Sequence, residues 1–261
     1  MKRSALIFLQ LMHHDFRSYY KKIPTLLTNF CVIYPISFAF MFGYVMPSIY
    51  FDASPEKATI LLAGHAVVNM LVLAYSINIM LLFDFDGDRY IDYEITIINP
   101  RILLFQRMLF AALFSGLATL PFFPIVKLLL GNNFASANTS WVALCAVIVV
   151  GSLVCSTYTI MLACAISNPR KLVRFWLRVN FILITLGGLF APWHVIYQFS
   201  AILGYLVLLN PLLYITEGTR SALTGNPQFL SVPLCTLAML AYATVFMFCA
   251  WYFFKKRMDH I

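Results

Sequence analysis

The chain has 261 residues, 62% of them hydrophobic and only 11% charged. A soluble domain carries about 25% charged residues, so there is too little charge here to cover a water-facing surface, and a soluble globular domain is excluded. The net charge of +8 does not signal nucleic acid, because the basic residues are spread over several connections rather than gathered on one soluble element.

Lys2 to Lys22 opens with two basic residues and an apolar run, as a secretory leader does. His13, His14 and Asp15 interrupt that run, and no small-x-small cleavage site follows. On a helical wheel Ala5, Phe8, Leu9, Met12, Phe16, Tyr19 and Tyr20 share one face, while Arg3, Gln10, His14, Arg17, Ser18 and Lys21 share the other. Residues 1–24 are therefore expected to form an amphipathic helix in the membrane interface, basic face toward anionic headgroups, with Pro24 ending it or turning it into the bilayer.

Six apolar segments follow over residues 25–261: Thr25–Met46, Ala58–Phe83, Ile102–Leu130, Trp141–Ile166, Phe181–Ile196 and Val232–Phe254. Most exceed the ~20 residues that cross a hydrocarbon core of about 30 Å. Backbone polar groups in lipid have to be satisfied within the segment, so the expected fold is all-α, a polytopic membrane domain of six transmembrane helices. The fifth segment is short, contains Gly187 and Gly188, and meets Pro192 early. After it, residues 197–225 are apolar but broken by Gly204, Asn210 and Pro211, and they contain Glu217 and Arg220. One or two short helices dipping into the outer leaflet fit that stretch better than a straight span. Glu217 and Arg220, three apart, are placed to pair.

All Lys and Arg other than Lys57, Lys127 and Arg220 cluster at the N-terminus, at the C-terminus, after the fourth segment, or around the second connection and the start of the third segment (Arg89, Arg101 and Arg107). This positive-inside pattern predicts a multi-pass protein of the plasma or bacterial inner membrane with both termini cytoplasmic. The six cysteines lie in apolar runs without metal-ligand spacing and read as packing residues.

The connection at 84–101 carries Asp84, Asp86, Asp88, Arg89, Asp92 and Glu94. As a calcium loop it fails at its sixth position, Arg89 in place of Gly, and at its twelfth, Ile95 in place of Glu. A solvated acidic cap is one reading. A protein-docking surface is another, favoured by the hydrophobic residues Tyr90, Ile91, Tyr93, Ile95 and Ile97 interleaved with the charges. No metal site is assigned, and no P-loop, H-E-x-x-H or G-x-S-x-G occurs. His65, Asn69 and Asn78 on the second segment either line a pathway or bond across helix interfaces. The spans hold almost no ionisable groups, whereas ion-coupled transporters place carboxylates near the midplane, so energy for any transport comes from outside the chain.

With this order in view the chain resembles the ABC-2 type permeases, the transmembrane subunits of one class of ABC exporter. The resemblance covers essentially the whole length. It rests on the amphipathic segment Lys2–Lys22, the acidic-then-proline loop Phe85–Pro100, and Gly187-Gly188 followed by Pro192. Most specific is Leu209-Asn210-Pro211-Leu212, then Glu217, Arg220 and Gly225, before a last helix ending in Lys255-Lys256-Arg257. The resemblance implies two permease copies, homo- or heterodimeric, around a central path, each docked on an ATPase subunit that binds ATP and Mg, with no cofactor in this chain. It makes Arg17, Asp86, Asp88, Arg89 and Glu94 ATPase-coupling residues, and the re-entrant stretch with Asn210, Pro211, Glu217 and Arg220 an outer gate. The short outer loops point to a lipid-linked glycan or a hydrophobic small molecule as cargo. The alternatives are a membrane-embedded lipid-modifying enzyme using loop 84–94 as a metal site, and an assembly subunit that moves nothing.

Overall fold

The computed structural model describes residues 2–21, 23–50, 54–86, 95–96, 98–135, 138–166 and 168–258. These residues form helices without strands, and six helices are long and apolar enough to cross a membrane. Helix α1 is Lys2–Tyr19, and the first span, α2, is Ile23–Ile49. Next come α3 (Pro55–Asp86), α4 (Pro100–Thr119), α5 (Phe122–Leu130), α6 (Trp141–Ala165) and α7 (Pro169–Leu189). Three short helices follow, α8 (Trp193–Phe199), α9 (Ala201–Val207) and α10 (Pro211–Thr224), before α11 (Val232–Met258).

Local chemistry explains the helix ends. Asn99, Asn168 and Asn210 each stand before a proline, and each side chain accepts the N–H two residues on, from Arg101, Arg170 and Leu212. Widely wound turns in α2, over Thr28–Ile33 and Met41–Val45, fall just before Pro35 and Pro47, which lack the N–H that a regular helix would supply to the turn behind them. Pro121 likewise separates α4 from α5.

The fifth span differs from its expected bounds. It begins at Pro169, not Phe181, and ends at Leu189 rather than running to Ile196. The basic cluster Arg170, Lys171, Arg174 and Arg178 therefore lies on the span's first turns, all four exposed, while Leu172 and Asn180 are buried. Long basic side chains can cover apolar surface while their heads reach water, so charge did not mark a loop here. The broken stretch also starts earlier than expected, at Trp193, and α9 and α10 meet at 97°.

Helix α6 is the central pillar, packing against α3, α4, α10 and α11. Without a hydrophobic force between helices in lipid, close packing and polar bonds hold such a bundle. Gly151 lets Ile215 approach so closely that a Cβ there would lie 2.7 Å from its side chain. Asn78 donates to the Ser156 carbonyl at 3.1 Å and to Thr159 Oγ1 at 2.8 Å, and Ser156 Oγ donates to the Met108 carbonyl at 2.7 Å. These bonds tie α3 to α6 and α6 to α4. Helices α2, α7 and α11 sit outside, with mostly open outer faces.

Helix α1 docks on α4 through Asp15, which is buried. Its Oδ1 lies 3.1 Å from Arg107 Nη1, and Gln106 Nε2 donates to its Oδ2 at 2.7 Å. Ile7 and Leu11, on the same stripe as Asp15, pack against the core, whereas Leu9, Phe16 and Tyr20 point outward. The helix thus has a protein face, an apolar outer stripe and a polar face. Asp15→Ala, which removes the buried carboxylate that Arg107 and Gln106 both hold, is expected to cost about 3 kcal/mol. It should also speed tryptic cutting at Arg17 and Lys21 in detergent, and adding Arg107→Leu should recover part of the loss.

Candidate functional site

The most concentrated chemistry lies on α10, at the end of the bundle opposite α1. Asn-Pro starts this helix and Gly225, at φ 64°, stops it, so Glu217 and Arg220 share one inward face. Both side chains are fully buried, and Arg220 Nη1 lies 3.0 Å from Glu217 Oε1. Arg220 Nε and Nη2 donate to the Ile60 carbonyl of α3 at 3.2 and 3.1 Å. Nη2 also donates to the Gly188 carbonyl at the end of α7. One planar guanidinium fork therefore joins three helices, which a lysine's point charge would not do.

Glu217 is occupied on both oxygens. Oε1 also accepts the Trp193 N–H at 3.0 Å, satisfying a first-turn donor of α8, and Oε2 accepts the Leu230 N–H at 3.4 Å, just ahead of α11. The pair serves as a backbone clamp that reaches the start of α8 on one side and the approach to α11 on the other.

The end of α7 is shaped to meet it. Gly188 has φ 83°, and a Cβ there would lie 2.6 Å from Thr216 Oγ1 and 3.1 Å from Arg220 Nη1. Thr216 Oγ1 donates to the Gly187 carbonyl at 2.7 Å, and Asn210 Nδ2 donates to the Leu183 carbonyl at 2.6 Å. Asn210, Thr216 and Arg220 thus bond carbonyls of α7 in chain order, at Leu183, Gly187 and Gly188, while Pro211 only fixes the first turn of α10. On the other side Gly64 of α3 comes so near that a Cβ would lie 2.5 Å from the Leu189 carbonyl oxygen.

One turn from Ile60, on α3, His65 is half-buried among aromatic rings. The Phe38 and Phe42 centroids each lie 4.5 Å from the imidazole, and that of Phe190 lies 6.4 Å away. Its Nδ1 bonds the Leu61 carbonyl at 2.8 Å, which leaves Nε2 as the ring's second polar atom. Asn69 and Asn78 differ from it. Both are buried, Asn69 donating to the Phe30 carbonyl at 3.1 Å and Asn78 to α6, the arrangement of polar side chains that stitch helices together. Asn69 Oδ1 has no hydrogen-bond partner among the described residues.

Of the residues that the resemblance marks for ATPase coupling, Arg17 is exposed on α1 and Asp86 is the last residue of α3. Asp88, Arg89 and Glu94 lie outside the described residues, as does most of the acidic loop. Among the described residues no group of three His, Cys, Asp or Glu could hold a metal ion.

Sequence reasoning missed Thr216, Trp193, Gly64 and the Asp15–Arg107 pair. Asp15 could have been found, because it falls four residues after Leu11 on a stripe with Ile7. Thr216 and Trp193 carry no such mark, since their roles depend on how α7 ends.

Arg220→Leu leaves Glu217 buried without its counter-charge and is expected to lose about 4 kcal/mol in detergent unfolding, with Arg220→Leu/Glu217→Leu losing less than the sum of the singles. Gly188→Ala is expected to cost at least ~1 kcal/mol from the left-handed backbone alone. No family model, curated protein or solved structure matches the chain.

Proposed function

We propose that this chain is the transmembrane permease of an ATP-driven exporter of the ABC-2 type, moving a lipid-linked glycan or a hydrophobic small molecule outward. The observation that carries the reading is the fixed state of Glu217. It is the one carboxylate set within the apolar sequence between Pro100 and Met258, and both its oxygens are committed to Arg220 and backbone N–H groups. A group so clamped carries no proton through a cycle, so the work comes from a partner. In this reading a cytoplasmic ATPase holding ATP and Mg docks on Arg17, Asp86, Asp88, Arg89 and Glu94, and a second permease copy completes the path. The termini are cytoplasmic, α1 lies in that interface, and α8–α10 close the outer side.

The open faces of α2 and α7, with His65 and its aromatic neighbours between them, offer the cargo surface. Mild-detergent purification of the tagged chain is expected to bring down a stoichiometric ABC ATPase, lost on Asp88→Lys/Glu94→Lys. His65→Ala should keep the complex but reduce stimulation of ATP hydrolysis by cargo. Isolation of the chain alone, with metal-dependent activity abolished by Asp86→Ala/Asp88→Ala, would instead support the lipid-modifying enzyme.

A further inference from the structure

A second feature lies on the far side of α6 from His65. Helices α4 and α11 diverge over α6 to leave a groove of about 460 Å³, lined by Phe105, Met108 and Leu109 on one side and Leu240, Met247 and Phe248 on the other. Toward the basic end of the bundle it runs into a second cavity of about 310 Å³ that shares Met247 and Phe248 and adds Arg101 and Trp251. The Arg101 guanidinium lies over the Trp251 ring, 5.0 Å from its centroid. Lys255, exposed, follows one turn later on the same stripe of α11.

We infer that this groove binds one anionic phospholipid, its acyl chain between α4 and α11 and its phosphate on Arg101. The groove extends eleven residues along α11 from Trp251 to Leu240, about 16 Å at helical rise, which is close to half of a hydrocarbon core of about 30 Å and so to one acyl chain. The two hydroxyls in its wall have no proton to offer an anionic headgroup, because Thr157 Oγ1 donates to the Leu153 carbonyl and Thr244 Oγ1 to the Leu240 carbonyl, each at 2.8 Å within its own helix. At the mouth, stacking on Trp251 occupies the face of the guanidinium and leaves its N–H edge for a phosphate. Phe248, 71% exposed, opens the groove to the surrounding lipid rather than to the bundle interior.

Tryptophan quenching tests this directly. A chain keeping Trp251 alone, with Trp141, Trp176 and Trp193 replaced by Phe, is placed in phosphatidylcholine vesicles. A fixed minor fraction of brominated phosphatidylglycerol or brominated phosphatidylcholine is then added. Quenching by the phosphatidylglycerol is expected to be about fivefold more effective, the preference one basic side chain gives at a membrane surface. Arg101→Gln should abolish that preference, and Ala243→Phe, which fills the groove, should weaken quenching from mid-chain bromines. Native mass spectrometry of the chain with all its tryptophans reads the same comparison as retained phosphatidylglycerol, lost in Arg101→Gln. Equal quenching by the two lipids, or a preference that survives Arg101→Gln, overturns the inference. So does an unquenched Trp251 with chain-to-chain disulfide formation at Phe248→Cys, which would put a second copy in the groove.

Discussion

The bundle depends on one buried guanidinium. Where α7 ends at Gly187-Gly188, its last carbonyls lose their helical partners inside an apolar environment, and an unsatisfied carbonyl there costs several kcal/mol. Arg220 satisfies the Gly188 carbonyl while also holding α3 at Ile60. Glu217 neutralises Arg220 and caps the start of α8. Take away the fork and two consequences follow together: an unsatisfied carbonyl at the end of α7, and a buried carboxylate without its counter-charge. Gly188 and Gly64 are small because the fork and the Leu189 carbonyl occupy the space where side chains would be.

A second pair, buried Asp15 with partly buried Arg107, stands at the opposite end and does different work. It joins a surface helix to α4, while the Glu217–Arg220 pair joins broken elements to the core. Between the two ends α6 is stitched to α3 and α4 by hydroxyls and an amide rather than by charge. This leaves an inner unit of α3, α4, α6 and α10 that is tied at several depths. Helices α2, α7 and α11 are tied mainly at their ends or along one face.

Much of this was legible in the sequence. Apolar length showed that there are six spans and placed five of them to within a few residues, and Asn210-Pro211 marked the break before α10, because these signals act locally. The Glu217–Arg220 pairing followed from helical spacing alone. The start of α7 was not legible, since four basic residues look like a loop unless one sees that their heads sit on its exposed side. Nor were the partners of Arg220 beyond Glu217, which lie 32 and 160 residues away in the chain and are set only by packing. Asn69 and Asn78 could have faced a path or a neighbour, and spacing does not distinguish these. Their bonds to Phe30 and α6 place both in helix interfaces.

The two ion pairs bear on how a partner's motion would travel in the proposed exporter. A push delivered to Arg17 reaches α1, and Asp15 is two residues away on that helix, held by Arg107 and Gln106 of α4. A buried, doubly held carboxylate gives little slack, so α1 and α4 would move as one piece. Helix α4 in turn is bonded through Met108 to Ser156 of α6, and α6 packs against α10, where Arg220 grips the end of α7. The joints in that chain are close polar bonds or helix packing, whereas α2 joins it through few polar bonds and carries two widely wound turns at its prolines. A force applied at one end of such an assembly would move the tied unit bodily and be taken up as strain in α2. That would change the space around His65, because Phe38 and Phe42 lie on α2 and Phe190 follows α7.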